Sequence, residues 1–125
     1  MLKKEGPGWL LAMDLKRGEY SFLIGGENWS TELNMNEWNS LVPIINDLIN
    51  EINVQKNTLM KEENICLEIE REAWWACLDG TEDSWSLKLI LTGDKTTRRG
   101  VEMFWPNPAA QAIAREMRSM WDSYQ

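Results

Sequence analysis

Histidine is absent from the 125 residues. With it go the commonest general base at neutral pH, the usual nucleophile triads and most zinc sites. Cysteine is scarce: Cys66 and Cys77 can pair in principle, but two cysteines in an unexported chain are most simply reduced, semi-buried thiols. Positive charge is also short. The balance of 13 Lys+Arg against 20 Asp+Glu leaves a net charge of -7, which repels polyanions unless the few cations are gathered on one face. Nucleic acid is therefore a disfavoured partner. No apolar run reaches the roughly 18 residues of a membrane span, and Met1 to Gly8 has no apolar signal-peptide region. These absences point to a cytoplasmic protein with no membrane partner, and no cofactor or metal is implied.

Tryptophan, by contrast, is abundant. Each of the eight indoles can bury about 150–250 Å², so together they can supply much of one core. The length fits a single domain, 1–125, that needs no metal or disulfide staple.

The organising stretch runs from Asn34 to about Glu63. Trp38, Leu41, Val42, Ile45, Leu48, Ile49, Ile52 and Leu59 recur at three- and four-residue steps with polar residues between them, the stripe of a long amphipathic helix. Asn34 and Glu37 are spaced to cap its start. Pro43 predicts a kink near residues 39–43, or a short opening turn with the main helix restarting at Ser40.

Before that helix, Gly6-Pro7-Gly8 reads as a flexible lead-in. Trp9–Leu15, Tyr20–Ile24 and Trp29–Leu33 then form a three-strand antiparallel meander. After it, Ile65–Glu72 alternates cleanly, with Ile65, Leu67 and Ile69 inward and Glu68, Glu70 and Glu72 as an outer acidic row. Trp74–Asp79 follows, either as the second arm of a hairpin or through a bulge at Glu72-Ala73. Trp85–Leu91 and Gly100–Trp105 complete four strands. Ala109–Tyr124 is a second helix with Ala110, Ile113, Ala114, Met117, Met120, Trp121 and Tyr124 on its buried side. Strands then helix occurs twice, in halves of about 9–63 and 64–124, a weak duplication that argues for an α+β fold with antiparallel sheets.

Gly6-x-Gly8-Trp9, Ile24-Gly25-Gly26-Glu27-x-Trp29-x-x-Glu32-Leu33, Met60-x-Glu62-Glu63-x-Ile65, Ser86-Leu87-x-x-Ile90-Leu91 and Arg99-Gly100-Val101-Glu102-x-x-Trp105-Pro106 resemble, in order, a small cyanobacterial family of proteins of unknown function. The resemblance implies a fold grouped with the single-stranded-DNA-binding transcriptional regulators, the Whirly-like class, whose two strand-plus-helix halves are related by a pseudo-twofold. It implies no catalytic residue. This chain departs from the nucleic-acid-binding relatives in being acidic and in lacking a basic Lys-Gly-Lys type motif.

The chemistry is sparse. Glu68, Glu70 and Glu72 line one strand without the enclosing loop a hard cation needs, so they read as a solvated face. Gly25-Gly26-Glu27-Asn28 lacks the spacing and the Lys-Ser/Thr of a phosphate loop and leads into a strand, so it reads as a hairpin turn. The one local gathering of positive charge is Lys95 to Arg99. Lys95, Arg98 and Arg99, with Trp29 and Trp105 as stacking surfaces, are the candidate binding surface for a single strand; the bland alternative is a solvated loop and two core indoles. The expected role is a non-catalytic binding or regulatory module associating with a protein partner or with itself. A single-stranded nucleic-acid-binding transcriptional regulator is the alternative, suggested by fold class alone.

Overall fold

The computed structural model describes residues 1–56, 63–93, 95 and 98–124, without the side chains of Trp121, Ser123 and Tyr124. Among the described residues, eight strands form two separate four-stranded antiparallel meanders. The first holds β1 (Leu2–Gly6), β2 (Trp9–Met13), β3 (Phe22–Gly25) and β4 (Ser30–Leu33), and the second holds β5 (Ile65–Arg71), β6 (Ala73–Gly80), β7 (Trp85–Gly93) and β8 (Arg98–Trp105). Each sheet is followed by one helix, α1 (Met35–Gln55) after β4 and α2 (Ala109–Tyr124) after β8. The α+β class and the twofold order of elements are as the sequence predicts.

The first sheet has four strands where the sequence reading has three. Leu2-Lys3-Lys4-Glu5-Gly6 pairs along its length with Trp9–Met13, around a two-residue Pro7-Gly8 turn in which Gly8 takes φ +80°, the geometry a type II turn asks of its third residue. The strand carries almost no apolar signal because Lys4, opposite Leu11 in register, reaches α2. Its Nζ lies 2.9 Å from Glu116 Oε2 and 3.1 Å from Ser119 Oγ. A lysine thus occupies an inward position where alternation calls for an aliphatic residue.

A reciprocal cap starts α1. Asn34 Oδ1 accepts from the Glu37 N–H at 2.8 Å, and Glu37 Oε1 accepts from the Asn34 N–H at 2.9 Å, which satisfies two of the first turn's free donors. The helix then runs through Pro43 without restarting at Ser40. Pro43 removes one backbone bond, and burial of Leu41, Val42, Ile44, Ile45 and Leu48 on the same stretch outweighs that loss. The helix ends at Gln55; the expected continuation through Leu59 lies outside the described residues.

β5 and β6 form a hairpin, not one bulged strand, with Arg71 opposite Trp74 across the turn. The inward rows of the second sheet are Leu67–Leu78–Leu87–Trp105 and Ile69–Ala76–Leu89–Met103. On α2, Ala110, Ile113, Ala114, Met117 and Met120 are buried as expected, while Trp121 and Tyr124 have side chains outside those described.

The helices exchange partners. α1 packs mainly on β5, β6 and α2, whereas α2 packs mainly on β1 and β2 of the first sheet and on β7. One continuous cluster of buried residues draws on both sheets and both helices, and Trp38, Trp74, Trp85 and Trp105 all lie in it. Trp38 also reaches its own half, stacking on Phe22 with centroids 4.7 Å apart.

Candidate binding face

The five residues of the expected single-strand surface divide between core and loop. Trp105 is fully buried, and its Nε1 donates to the Gly25 carbonyl at 2.9 Å. Trp29, half-buried, rests against it with ring centroids 5.2 Å apart. Arg99 turns inward: its Nη1 lies 2.9 Å from Glu37 Oε1, its Nη2 donates to the Glu32 carbonyl at 3.0 Å, and its guanidinium sits 5.5 Å from the Tyr20 ring centre. Lys95, between β7 and β8, and Arg98, the first residue of β8, stay exposed.

Trp105 and Arg99 are therefore corrections to that surface. Trp105 offers no face for a base, and Arg99 already neutralises a carboxylate that is almost wholly out of water, Glu37 being 5% exposed. These contacts fasten β8 of the second half to β3, β4 and α1 of the first. The Trp74 Nε1–H, which donates to the Glu37 carbonyl at 3.0 Å, adds to the same seam.

Among the described residues, neither helix covers the outer face of the second sheet. Two cross-strand rows lie there, Glu70–Trp75–Ile90–Glu102 and Glu68–Cys77–Lys88–Phe104. Phe104 is 51% exposed, and Trp75 and Ile90 are partly so. The three form an apolar strip over β6, β7 and β8. Glu68, Glu70, Asp79 and Glu102 frame the strip and are exposed. Lys88 is the only cation in these rows and is bound to Glu102 at 2.8 Å. Trp75 Nε1 donates to Glu68 Oε1, which directs the half-buried indole toward β5. The acidic row of the sequence reading is thus part of a mixed face: Glu68 and Glu70 are on it, and Glu72 falls in the turn.

Sequence reasoning missed this strip although a signal was present. Trp85, Leu87, Leu89 and Leu91 already define the inner face of β7, so alternation puts Ile90 outside. Likewise Met103 and Trp105 face in, and Phe104 faces out.

Two thiols lie on the same face. Cys66 and Cys77 are free, with their Sγ atoms 3.6 Å apart. Burial chiefly, then the contact with Cys66 and the nearby Asp79 and Glu68 carboxylates, pushes the Cys77 thiol up to about 11.

Other concavities are shallower in chemistry. A depression of about 200 Å³ on the outer face of the first sheet has Leu10, Ala12 and Leu23 as its floor. A groove of about 340 Å³ between the helices and the β6–β7 turn is lined by Lys56, Glu82, Asp83, Arg115 and Arg118 among others. Its two carboxylates are neighbours on one turn and do not converge from separate elements. Among the described residues no group of three or more Cys, Asp or Glu side chains is placed to hold a metal ion, and no helix is long and apolar enough to cross a membrane.

Residues 4–120 match the family model of the domain of unknown function DUF1818. The chain belongs to the DUF1818 family. A crystal structure of a protein of unknown function from Prochlorococcus sp. NATL2A, described there as a member of the DUF155 family, is similar to it at 43% identity. The match covers 97% of this chain and 99% of that one, with a TM-score of 0.89. That source agrees with the cyanobacterial resemblance read from the motifs. No curated protein matches the DUF1818 chain.

Proposed function

We propose that this DUF1818 chain is a single-domain, cytoplasmic, non-catalytic protein-binding module that docks a partner on the outer face of its second sheet. The observation that carries the reading is the Trp75–Ile90–Phe104 strip, set across three strands and left uncovered within a frame of carboxylates. Aromatic and aliphatic side chains kept in water at the centre of a face are anchors for a second surface. The frame selects that surface by charge: Glu68, Glu70, Asp79 and Glu102 favour a protein segment with an apolar anchor ringed by Lys and Arg. A second copy of the same acidic face, or a polyanion, is repelled.

The arrangement of two four-strand-plus-helix halves with exchanged helices supports assignment to the Whirly-like class. It does not carry over that class's ligand, because the exposed cations at this end of β8 reduce to Lys95 and Arg98 among the described residues.

A pull-down from a cyanobacterial lysate tests the reading. Capture of a basic protein is expected to survive nuclease and to weaken with salt. It should be lost in Ile90→Asp with Phe104→Asp and retained in Leu15→Asp, an exposed control away from the strip. Capture that persists in the double variant, that vanishes with nuclease, or that returns only a second copy of the chain overturns it.

A further inference from the structure

Cys66 on β5 lies opposite Asp79, and Cys77 on β6 lies opposite Glu68, so the two thiols are diagonal neighbours on the open face. Cys66 is exposed and Cys77 half-buried, with the sulfurs 3.6 Å apart. We propose that this pair is a redox modification site, at which small-molecule disulfides convert the two thiols into a reversible intramolecular disulfide.

The chemistry follows from exposure and proximity. The Cys66 thiolate attacks one sulfur of the small disulfide, whose S–S bond breaks; one small thiolate leaves and a mixed disulfide remains on Cys66. Cys77 then gives up its proton to solvent and attacks Cys66 Sγ, the mixed S–S bond breaks, and the second small thiolate departs. Two protein thiols are oxidised, one small disulfide is reduced to two thiols, and the two released protons end on the leaving thiolates.

Cys77 is a poor first nucleophile because its environment favours the protonated thiol. As the resolving group it needs no encounter, since the sulfur it must reach is already in contact, and well-placed intramolecular pairs gain effective concentrations of up to about 10⁵–10⁸ M. Closing the bond takes the sulfurs from 3.6 Å to about 2.05 Å. Diagonal neighbours in antiparallel pairs have Cα atoms about 7–8 Å apart, beyond the usual disulfide span of about 4.4–6.8 Å. The bond therefore draws β5, an edge strand, against β6. A bond formed under that constraint is readily reduced, which marks it as a switchable modification and not a permanent staple. The site stands whether or not the face binds a protein.

The full chain is equilibrated in buffers of reduced and oxidised glutathione, quenched with acid and read by intact mass, with circular dichroism confirming that the serine variants fold. The wild type is expected to become lighter by two hydrogen atoms, with no glutathione attached, and to revert on adding dithiothreitol. Cys77→Ser should accumulate one glutathione on Cys66, and Cys66→Ser should take up glutathione at least about tenfold more slowly. A wild type that keeps a stable glutathione adduct, forms covalent dimers, or retains both thiols under oxidised glutathione alone overturns the proposal.

Discussion

Arg99 and Glu37, 62 residues apart in sequence, meet with Nη1 and Oε1 separated by 2.9 Å at the seam between the two halves. Both side chains are largely withdrawn from water, at 19% and 6% exposure. Glu37 also closes the cap of α1, so one carboxylate holds the helix start and the opposite half together. Removing one member of such a pair strands the other, at a cost of about 3–5 kcal/mol. Arg99→Met is expected near the low end of that range because Arg99 retains some solvent. Glu37→Gln should cost less, since the amide can keep the cap while losing the charge. The double variant should fall short of the summed losses in urea unfolding; additivity would mean the pair does not couple the halves.

Trp38 and Trp105 are both fully buried, yet their indole N–H groups fare differently. Trp105 Nε1 donates to the Gly25 carbonyl, while Trp38 Nε1 is without a partner among the described residues. Trp105→Phe is expected to destabilise by about 0.5–1.5 kcal/mol more than Trp38→Phe, because it removes a made hydrogen bond where Trp38→Phe removes none. Chemical denaturation of the two variants checks the order.

Gly26 lies under the Trp29 indole, and a Cβ there lands on the ring's Nε1 and Cε2 atoms. Gly26→Ala should therefore push Trp29 off Trp105 and cost about 1–3 kcal/mol, as overpacking does. Adding Trp29→Leu should recover part of that loss. Thermal unfolding and the tryptophan emission maximum report the two effects separately.

Cys77 is predicted to titrate late. Its thiol rises from 9.0 to about 11 in the folded chain, so alkylation by iodoacetamide should stay slow at pH 8 and climb toward pH 11. The folded state favours the protonated thiol. Its contribution to stability is therefore complete below pH 9 and is lost as pH rises through 11, because the unfolded chain gives up the proton first. Cys66→Ser removes the second-largest cause of the shift and should bring the alkylation profile to lower pH, with burial still holding it above the ordinary thiol range.

Where side chains obey one period, the fold was legible in the sequence. The stripe of α1, the cap at Asn34 and the inward rows of β5 and β7 each follow from spacing alone. β1 was not legible, because Lys4 takes an inward position for the sake of Glu116 on α2, and a contact across 112 residues leaves no local trace. At Pro43 the restart at Ser40 did not follow, because a local preference against helix continuation was overruled by burial around it. The candidate surface of Trp29, Lys95, Arg98, Arg99 and Trp105 loses Arg99 and Trp105 through register, since composition cannot say whether a cation beside an indole faces solvent or a buried carboxylate. Alternation left a trace of Ile90 and Phe104 as outward residues, but only the pairing register joins them with Trp75 into one strip across three strands.

Because each helix packs more on the sheet it did not grow from than on its own, neither residues 1–56 nor residues 63–124 fully cover their own core. Expressed as separate fragments, the two should remain soft and adhesive alone yet regain native structure on mixing. A chain built this way matures as a whole: its amino-terminal half has to wait, part-finished, for the carboxy-terminal helix to be synthesised.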